Sequence, residues 1–333
     1  MEEVEETESK STRDIALTLF PIKPASGSKS VPSGRCGSSL TILGDALSKP
    51  VGLLLGGASD DSILGECFKF DFASTNWTLL KASGSFPPLF GHSADLYLNK
   101  LYIFGGLTIS SMYTFDDMPE SPDSPDLKES WGFSSARGYK ASARFKERLF
   151  KSRGEEAQSE MYVLDIVSNT WSEVVFKGSA PSPRFMHSSC ILDDKLVIFG
   201  GCMQSGYKES LSDLWVFDFV TGDWSKPKCT GSIPSARHGH SAVAVSKTRM
   251  YVFGGSNEDE GEDKIHRFNT LFEFDLESKA WRILETSGSP PLERAFHSSG
   301  LICLDGEKQY MYVFSGETNQ VAAELVLLDI STS

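Results

Sequence analysis

The fold is decided by the stretch RHGHSAVAVSKTRMYVFGG at residues 237–255, followed by LFEFDLESKAW at residues 271–281. An Arg motif leads into two apolar runs, the second of which ends in a glycine pair. A third, aromatic run then ends in Asp, six residues before a Trp. β-branched and aromatic residues favour strands, and the glycine and polar residues between the runs favour turns. The stretch therefore predicts one small sheet of four strands.

The same unit recurs along the chain. An apolar run ends in two glycines at four places, and a fifth run, residues 311–316, has Ser315 in place of the first glycine. The step from Asp to Trp is six residues in four units. Glycine can adopt positive φ and allow close backbone approach, and Trp offers a flat packing surface. The residues that we assign to the structural repeat are Gly56, Gly57, Gly105, Gly106, Gly200, Gly201, Gly254, Gly255, Trp77, Trp171, Trp224 and Trp281.

These motifs, repeated in register, resemble the kelch-repeat family. In that family each unit of about 50 residues forms one four-stranded blade of a β-propeller. The resemblance covers roughly residues 14–330. It predicts an all-β propeller of kelch-like blades.

The number of blades depends on the segment between Gly106 and Met161. Complete motifs give five units, but this segment is too long for a loop in a compact domain. Ser135-Ala136-Arg137 repeats Ser235-Ala236-Arg237 of a complete unit, although Lys140 and Glu155 stand where His and the second glycine are expected. We therefore predict a six-bladed β-propeller, with irregular second and third blades within 107–160.

The two ends of the chain predict how the ring closes. The last unit stops near Ile330, without a Trp or a fourth strand. Gly27-Ser28 repeats the Gly-Ser that follows four of the Trp residues by seven positions, and counting back seven gives Phe20. We predict that residues near Leu17 to Lys23 form the fourth strand of the last blade, which closes the ring. One propeller domain would then span 14–333, after a disordered acidic N-terminus at 1–13.

Composition excludes several classes of partner. The chain has 32 Lys and Arg against 45 Asp and Glu, a net charge of −13, which is the wrong sign for a general nucleic-acid binder. No apolar run reaches the length of a membrane span, about 18 residues. The six cysteines form no C-x-x-C pair, which favours a reducing compartment, the cytoplasm or the nucleus. We expect a monomer that is not inserted in a membrane.

Histidine and arginine recur once per unit, which favours structural roles over chemical ones. A residue that is needed in every blade is best interpreted as a packing or hydrogen-bonding element, and the arginines as braces from blade to blade. The recurring residues are His92, His187, His240, His297, Arg35, Arg184, Arg237 and Arg294.

The acidic loop after Gly255 is the one candidate for metal chemistry. Glu258, Glu262 and His266 are spaced by four residues, and two carboxylates with one imidazole suit a non-haem iron. The loop also resembles that of plant nitrile-specifier proteins, although Glu262 stands where that family has Asp. The alternative is a solvated acidic loop, because other acids crowd the same run without a ligand pattern. We expect no cofactor.

Charge also marks possible docking sites for a protein. Residues 137–153 hold seven bases and one acid, and an acidic stretch at 116–129 precedes them along the chain. The candidate partner-binding residues are Glu258, Asp259, Glu260, Glu262, Asp263, Arg137, Lys140, Arg144 and Arg148. The kelch resemblance implies a protein-interaction scaffold or effector that is not an enzyme, and the alternative is an iron-dependent nitrile-specifier-like lyase. The connections after the glycine pairs vary most, so we expect the partner on their face.

Overall fold

The computed structural model describes residues 30–44, 50–59, 62–109, 155–203, 209–258, 265–304, 308–318 and 324–330. In these ranges every regular element is a β-strand, so the all-β prediction is confirmed. None of the described residues belongs to a helix that is long and apolar enough to cross a membrane.

The strands pair into five blades in a β-propeller arrangement. Blade 1 consists of β1 Ser39–Leu43, β2 Val51–Leu55, β3 Cys67–Asp71 and β4 Asn76–Leu79, and blade 2 consists of β5 Ser93–Tyr97, β6 Lys100–Phe104, β9 Met161–Asp165 and β10 Thr170–Glu173. Blade 3 consists of β11 Ser188–Leu192, β12 Lys195–Phe199, β13 Leu214–Asp218 and β14 Asp223–Ser225. Blade 4 consists of β16 Ser241–Ala244, β17 Arg249–Phe253, β20 Leu271–Asp275 and β21 Ala280–Leu284, with β15 Thr230–Gly231 added in parallel, and blade 5 consists of β22 Ser298–Leu304, β23 Lys308–Phe314 and β24 Leu325–Asp329. There are also two small two-stranded sheets. In one, β7 Leu107–Ile109 pairs with β8 Glu155–Ala157, and in the other, β18 Ser256–Glu258 pairs with β19 Ile265–Arg267.

Each blade has two distinct ends. The end that carries the glycine pairs and the Arg motifs is called the loop face here, and the opposite end is called the turn face. On the turn face, the turns between third and fourth strands are short and alike in blades 1 to 4 because a single Asp organises each of them. Asp218 Oδ1 accepts hydrogen bonds from the N–H groups of Val220 (2.9 Å) and Thr221 (3.1 Å), and Asp71, Asp165 and Asp275 act in the same way. This Asp cap explains the constant six-residue step from Asp to Trp.

The glycine pairs join each blade to the next one. Gly254 and Gly255 have φ of +68° and +94°, and the N–H of Gly255 donates to the carbonyl of Arg294 in blade 5 at 2.9 Å. A Cβ on Gly254 would lie 2.7 Å from His297 Cε1, so a larger residue would push the blades apart. The equivalent bonds join Gly57 to Leu89, Gly106 to Arg184, and Gly201 to Arg237.

The described residues form five blades rather than the predicted six, and most of the segment 107–160, where irregular second and third blades are predicted, lies outside them. β6 pairs directly with β9, with Leu101 opposite Leu164 and Phe104 opposite Met161. Residues 110–154 therefore fall, along the chain, between the second and third strands of one blade, and β7 and β8 pair at the two ends of this insertion. Met161 and Leu164 are fully buried against β6, and this packing leaves no place for another strand between β6 and β9. The segment itself lies outside the described residues.

Blade 5 has three described strands. The predicted fourth strand, with Phe20, lies outside the described residues. In the described part of the chain the ring is open at the seam between blades 5 and 1. Main-chain hydrogen bonds join the other neighbouring blades, as the N–H of Phe296 donates to the carbonyl of Gly239 at 2.7 Å. Among the described residues, neither Gly316 nor Gly37 makes such a bond across this seam.

Candidate protein-binding face

Buried arginines hold the loop face in place. The guanidinium of Arg184 donates to the carbonyls of Ser182 (3.1 Å) and Gly200 (3.0 Å) and to Asp213 Oδ1 (2.8 Å). Burial opposes ionisation of Asp213, but the bonds from Arg184 and Trp215 outweigh it and lower its pKa to about 2. These contacts lie within blade 3, so the arginine side chain does not brace blade to blade as expected. The link between blades is made by the main-chain carbonyl of the same residue.

Blade 4 departs from this pattern. Arg237 donates to the carbonyls of Ser235 (3.1 Å) and Gly254 (2.9 Å), but in the described residues no carboxylate pairs with it. Instead its guanidinium lies 4.3 Å from the ring centroid of Phe268 and 5.1 Å from that of Phe272. Burial lowers the pKa of Arg237 to about 10, so the group stays charged at neutral pH. Hydrogen bonds and cation–π contacts here replace the ion pair.

The buried layer beneath the loop face contains polar side chains at blades 4 and 5 and an apolar cluster at blades 1 to 3. His238 is 2% exposed and lies 2.8 Å (Nδ1) from Ser210 Oγ and 3.1 Å (Nε2) from Ser256 Oγ. Arg267 of blade 4 and Glu317 of blade 5 form an ion pair at 3.5 Å. The corresponding layer of blades 1 to 3 is a buried apolar cluster made of Ala58, Ile63, Phe90, Leu107, Phe185 and Cys202. The polar part of this face therefore lies next to the acidic loop.

The structure places part of that predicted acidic site. Glu258 ends β18 and His266 lies in β19, so both belong to a hairpin that rises from the loop face. Residues 259–264, which include Asp259, Glu260, Glu262 and Asp263, lie outside the described ranges, as do Arg137, Lys140, Arg144 and Arg148. In the hairpin Glu258 is opposite Ile265, and His266 is opposite Asn257. Because paired residues share a face and successive residues alternate, Glu258 and His266 lie on opposite faces of the hairpin. This register does not bring those two proposed metal ligands together.

The recurring histidines connect neighbouring blades. His92 Nε2 lies 3.0 Å from Ser39 Oγ, His187 Nε2 lies 3.0 Å from Ser93 Oγ, and His297 Nε2 lies 2.8 Å from Ser241 Oγ. Each bond joins the first strand of one blade to the loop that enters the next. In the described part of the chain no three His, Cys, Asp or Glu side chains form a group that could hold a metal ion.

Comparison with known proteins agrees with the repeat and the blades. The family model described as the KLHDC2/KLHL20/DRC7 Kelch-repeats domain matches residues 149–333. The chain belongs to this kelch-repeat family. The kelch domain-containing protein 3 of Bos taurus is 31% identical over 173 residues, which cover 49% of this chain and 42% of that protein. The chain thus spans less than half the length of this curated relative.

Two further similarities bear on fold and chemistry. The N-(sulfonatooxy)prop-2-enimidothioate sulfolyase of Thlaspi arvense is 33% identical over 150 residues, 44% of this chain and 39% of the enzyme. The solved structure of YjhT matches 90% of this chain and 82% of its own, with a TM-score of 0.61 and 15% identity. At that identity the second match shows the fold alone.

Sequence reasoning missed the polar residues of this kelch loop face. His238 follows the motif arginine at the position where other units have Phe90, Phe185 or Ala295. Glu317 follows the glycine pair where other units have Ala58, Leu107 or Cys202. The sequence feature that could have identified these residues is therefore their departure from the residue type found in the other repeats. A polar residue at an otherwise apolar repeat position indicates a local role rather than a structural one.

Proposed function

We propose that this kelch propeller is a non-catalytic binding module that receives a protein partner on its loop face, at blades 4 and 5. The observation that carries the proposal is the polar layer made by His238, Ser210, Ser256, Arg267 and Glu317. It interrupts an apolar cluster that fills the same layer of the other blades. The β18–β19 hairpin, which bears the acidic loop, stands beside it.

The contrast between the two faces supports this choice. The turn-face connections between third and fourth strands are short and held by the same Asp cap in blades 1 to 4, so they vary little. The loop-face connections differ in length, charge and pairing, and buried arginines fix the points where they leave the blades. Variable loops on a rigid scaffold are the usual place for recognition. The carboxylates of residues 258–263 would speed association with a basic partner.

The test measures association with a partner. Partners are identified by cross-linking and mass spectrometry, and their association rates are then compared at two salt concentrations. Neutralising Glu258, Asp259, Glu260, Glu262 and Asp263 together is expected to slow association about tenfold at low salt and to reduce its salt dependence.

A matched pair of single changes keeps this test specific. Glu258→Gln and Glu277→Gln remove one carboxylate each from the loop face and the turn face of blade 4. Glu258→Gln is expected to slow association, and Glu277→Gln is expected to leave it unchanged. A partner that is lost through Glu277→Gln while the fold is intact would contradict the choice of face.

The predicted closure of the ring by an N-terminal strand, which would complete blade 5, is part of this proposal. Its support is the outer edge of β24, which no described strand covers, and the exposed apolar residues of β1, where Leu40 is 57% and Ile42 is 46% exposed. In blades 1 and 3 the Gly-Ser step crosses to the Trp strand of the next blade, as Gly84 does at Trp171. By the same rule Gly27-Ser28 would dock at Trp77, with residues 17–23 beside β24.

The enzymatic alternative has one specific observation in its favour, the partial match to the sulfolyase. The register of the β18–β19 hairpin weighs against the Glu258, Glu262 and His266 metal set. Metal analysis of the purified protein separates the two functions. Stoichiometric iron that is lost in Glu262→Gln and in His266→Gln would favour the lyase.

A further inference from the structure

Exposed apolar side chains gather on the turn face of blades 2 and 3. Leu98 is 77%, Val167 is 79% and Val220 is 77% exposed. Together with the half-buried rings of Tyr97 and Phe219 they define the turn-face patch. Single exposed apolar residues are ordinary, but a contiguous group with a polar rim is typical of an interaction site.

The contacts place the three turns that carry the patch side by side. The ring of Tyr97, next to Leu98, stacks on that of Phe219, next to Val220, with centroids 4.0 Å apart and planes 4° apart. On the other side, the N–H of Ile166, next to Val167, donates to the carbonyl of Asn99 at 3.0 Å. The segments that carry Val167 and Val220 therefore lie on either side of the turn that carries Leu98, at the junction of two blades.

Folding does not explain Leu98. Its φ is +54°, in the left-handed region that suits Gly, Asn or Asp, and the equivalent turn of blade 3 has Asp193 at +53°. A leucine here strains the backbone and also exposes an apolar side chain to water. Positions equivalent to the valines are Ala73 in blade 1 and Glu277 in blade 4. The apolar group is thus particular to blades 2 and 3.

The rim of the patch is acidic. Asp193, Asp194 and Asp223 are exposed, and Asp194 Oδ1 accepts a hydrogen bond from Tyr97 Oη at 2.7 Å. The nearby cations are largely matched: Lys195 pairs with Asp218 at 2.9 Å, and Lys100 stands opposite Asp165 in the sheet. The rim therefore carries a net negative charge.

We propose that the turn-face patch is a second docking surface, and that it binds a protein segment with apolar or aromatic side chains next to Lys or Arg. The apolar residues would bury those side chains, and the acidic rim would pair with the bases. A second copy of this chain fits poorly, because a two-fold contact would bring the carboxylates of both rims together. This surface is independent of the loop face.

The probe is a labelled synthetic peptide with the sequence of residues 137–153, because it combines seven bases and one acid with Tyr139, Phe145, Leu149 and Phe150. Its affinity for the full chain is measured by fluorescence anisotropy. The patch variant is Leu98→Asn with Val220→Thr, since Asn suits positive φ and Thr matches Val in shape. The control is Val175→Thr, which changes a valine that is 88% exposed outside the patch.

The patch variant is expected to weaken peptide binding about tenfold, or roughly 1.4 kcal/mol, and the control less than twofold. Asp193→Lys is expected to weaken binding further and to reduce its salt dependence. The proposal is overturned if wild type fails to bind the peptide, or if the patch variant and Val175→Thr bind equally well. A loss confined to Glu258→Gln would point to the loop face instead.

Discussion

The junction between blades 3 and 4 and the seam between blades 5 and 1 use the same repeat with different results. At the junction Leu192, Val197 and Phe199 of blade 3 are fully buried, and Phe199 lies 4.9 Å from Trp281 of blade 4. At the seam the equivalents of Val197 and Phe199 in blade 5 are Tyr312, which is half-buried, and Phe314, which is 36% exposed.

The comparison separates two kinds of information in a repeat. Strand residues dictate which face of a blade is apolar, and they do so at the seam as well as at the junction. Burial of that face depends on the next blade, through the glycine pair and the His–Ser bond. Ser315 agrees with this view, because its Cβ at the first glycine position, with φ of +58°, meets no next blade among the described residues. A glycine is needed there only where another blade packs closely.

The largest effect is expected from deleting the N-terminal residues that we predict to cover the seam. Deletion of residues 1–11 should leave the melting temperature unchanged, whereas deletion of residues 1–23 should lower it by about 10 °C, because the second deletion would remove the predicted fourth strand of blade 5 and expose the apolar surface that it covers. Differential scanning calorimetry of the two truncations checks this. Equal melting would show that the N-terminal segment does not cover the seam.

Substitution of Trp measures the same contrast residue by residue. Trp281 is 2% exposed at the complete junction, and Trp281→Ala should lower the free energy of unfolding by about 3 to 5 kcal/mol. Trp77 faces the seam and is only half-buried, so Trp77→Ala should cost about half as much. Urea unfolding of both variants gives the comparison. A larger loss at Trp77 would mean that the seam is covered as tightly as the junction.

Sequence alone predicted the elements that every blade repeats, and it failed where blades differ. Strand order, the Asp-capped turn and the glycine pairs follow from local preferences that act within one unit. The direct pairing of β6 with β9 across residues 110–154 could not be read locally, because a third strand can join its sheet after an insertion of any length. The ion pair of Arg267 with Glu317 depends on two blades meeting, and no spacing rule encodes it.

Acid should weaken the closed junctions. Burial lowers the pKa of His92 to about 4 and of His187 and His297 to about 3, below the ordinary value of 6.5. Groups with depressed pKa values stabilise the fold above the unfolded pKa, and this contribution is lost as the pH falls. Each histidine should cost about 1.5 kcal/mol between pH 6.5 and pH 5. Asp95 acts in the opposite sense, since burial raises its pKa to about 6.

Urea unfolding at pH 6.5 and pH 5 measures this loss. His187→Gln should make stability less dependent on pH, because Gln cannot titrate. Asp95→Asn should make the loss toward pH 5 steeper, because it removes a group that favours the folded state as the pH falls. A His187→Gln variant with the pH dependence of wild type would contradict the assignment of the loss to buried histidine.

The smallest effect is expected at the His–Ser bonds themselves, where the junction between blades 3 and 4 is the exception. Ser188 Oγ and His240 Nε2 are both buried and have no hydrogen-bond partner among the described residues, although they occupy the positions of Ser93 and His187. Ser93→Ala should lower the free energy of unfolding by about 1 to 2 kcal/mol, because it leaves His187 Nε2 buried and unsatisfied. Ser188→Ala breaks no hydrogen bond and removes a hydroxyl whose burial is unfavourable. Its effect on the free energy of unfolding should therefore be near zero or slightly stabilising. The two substitutions delete the same atom at equivalent positions, so their difference in unfolding free energy isolates the bond. Equal losses would mean that Ser188 and His240 do pair in solution, and that all four junctions of the described ring are alike.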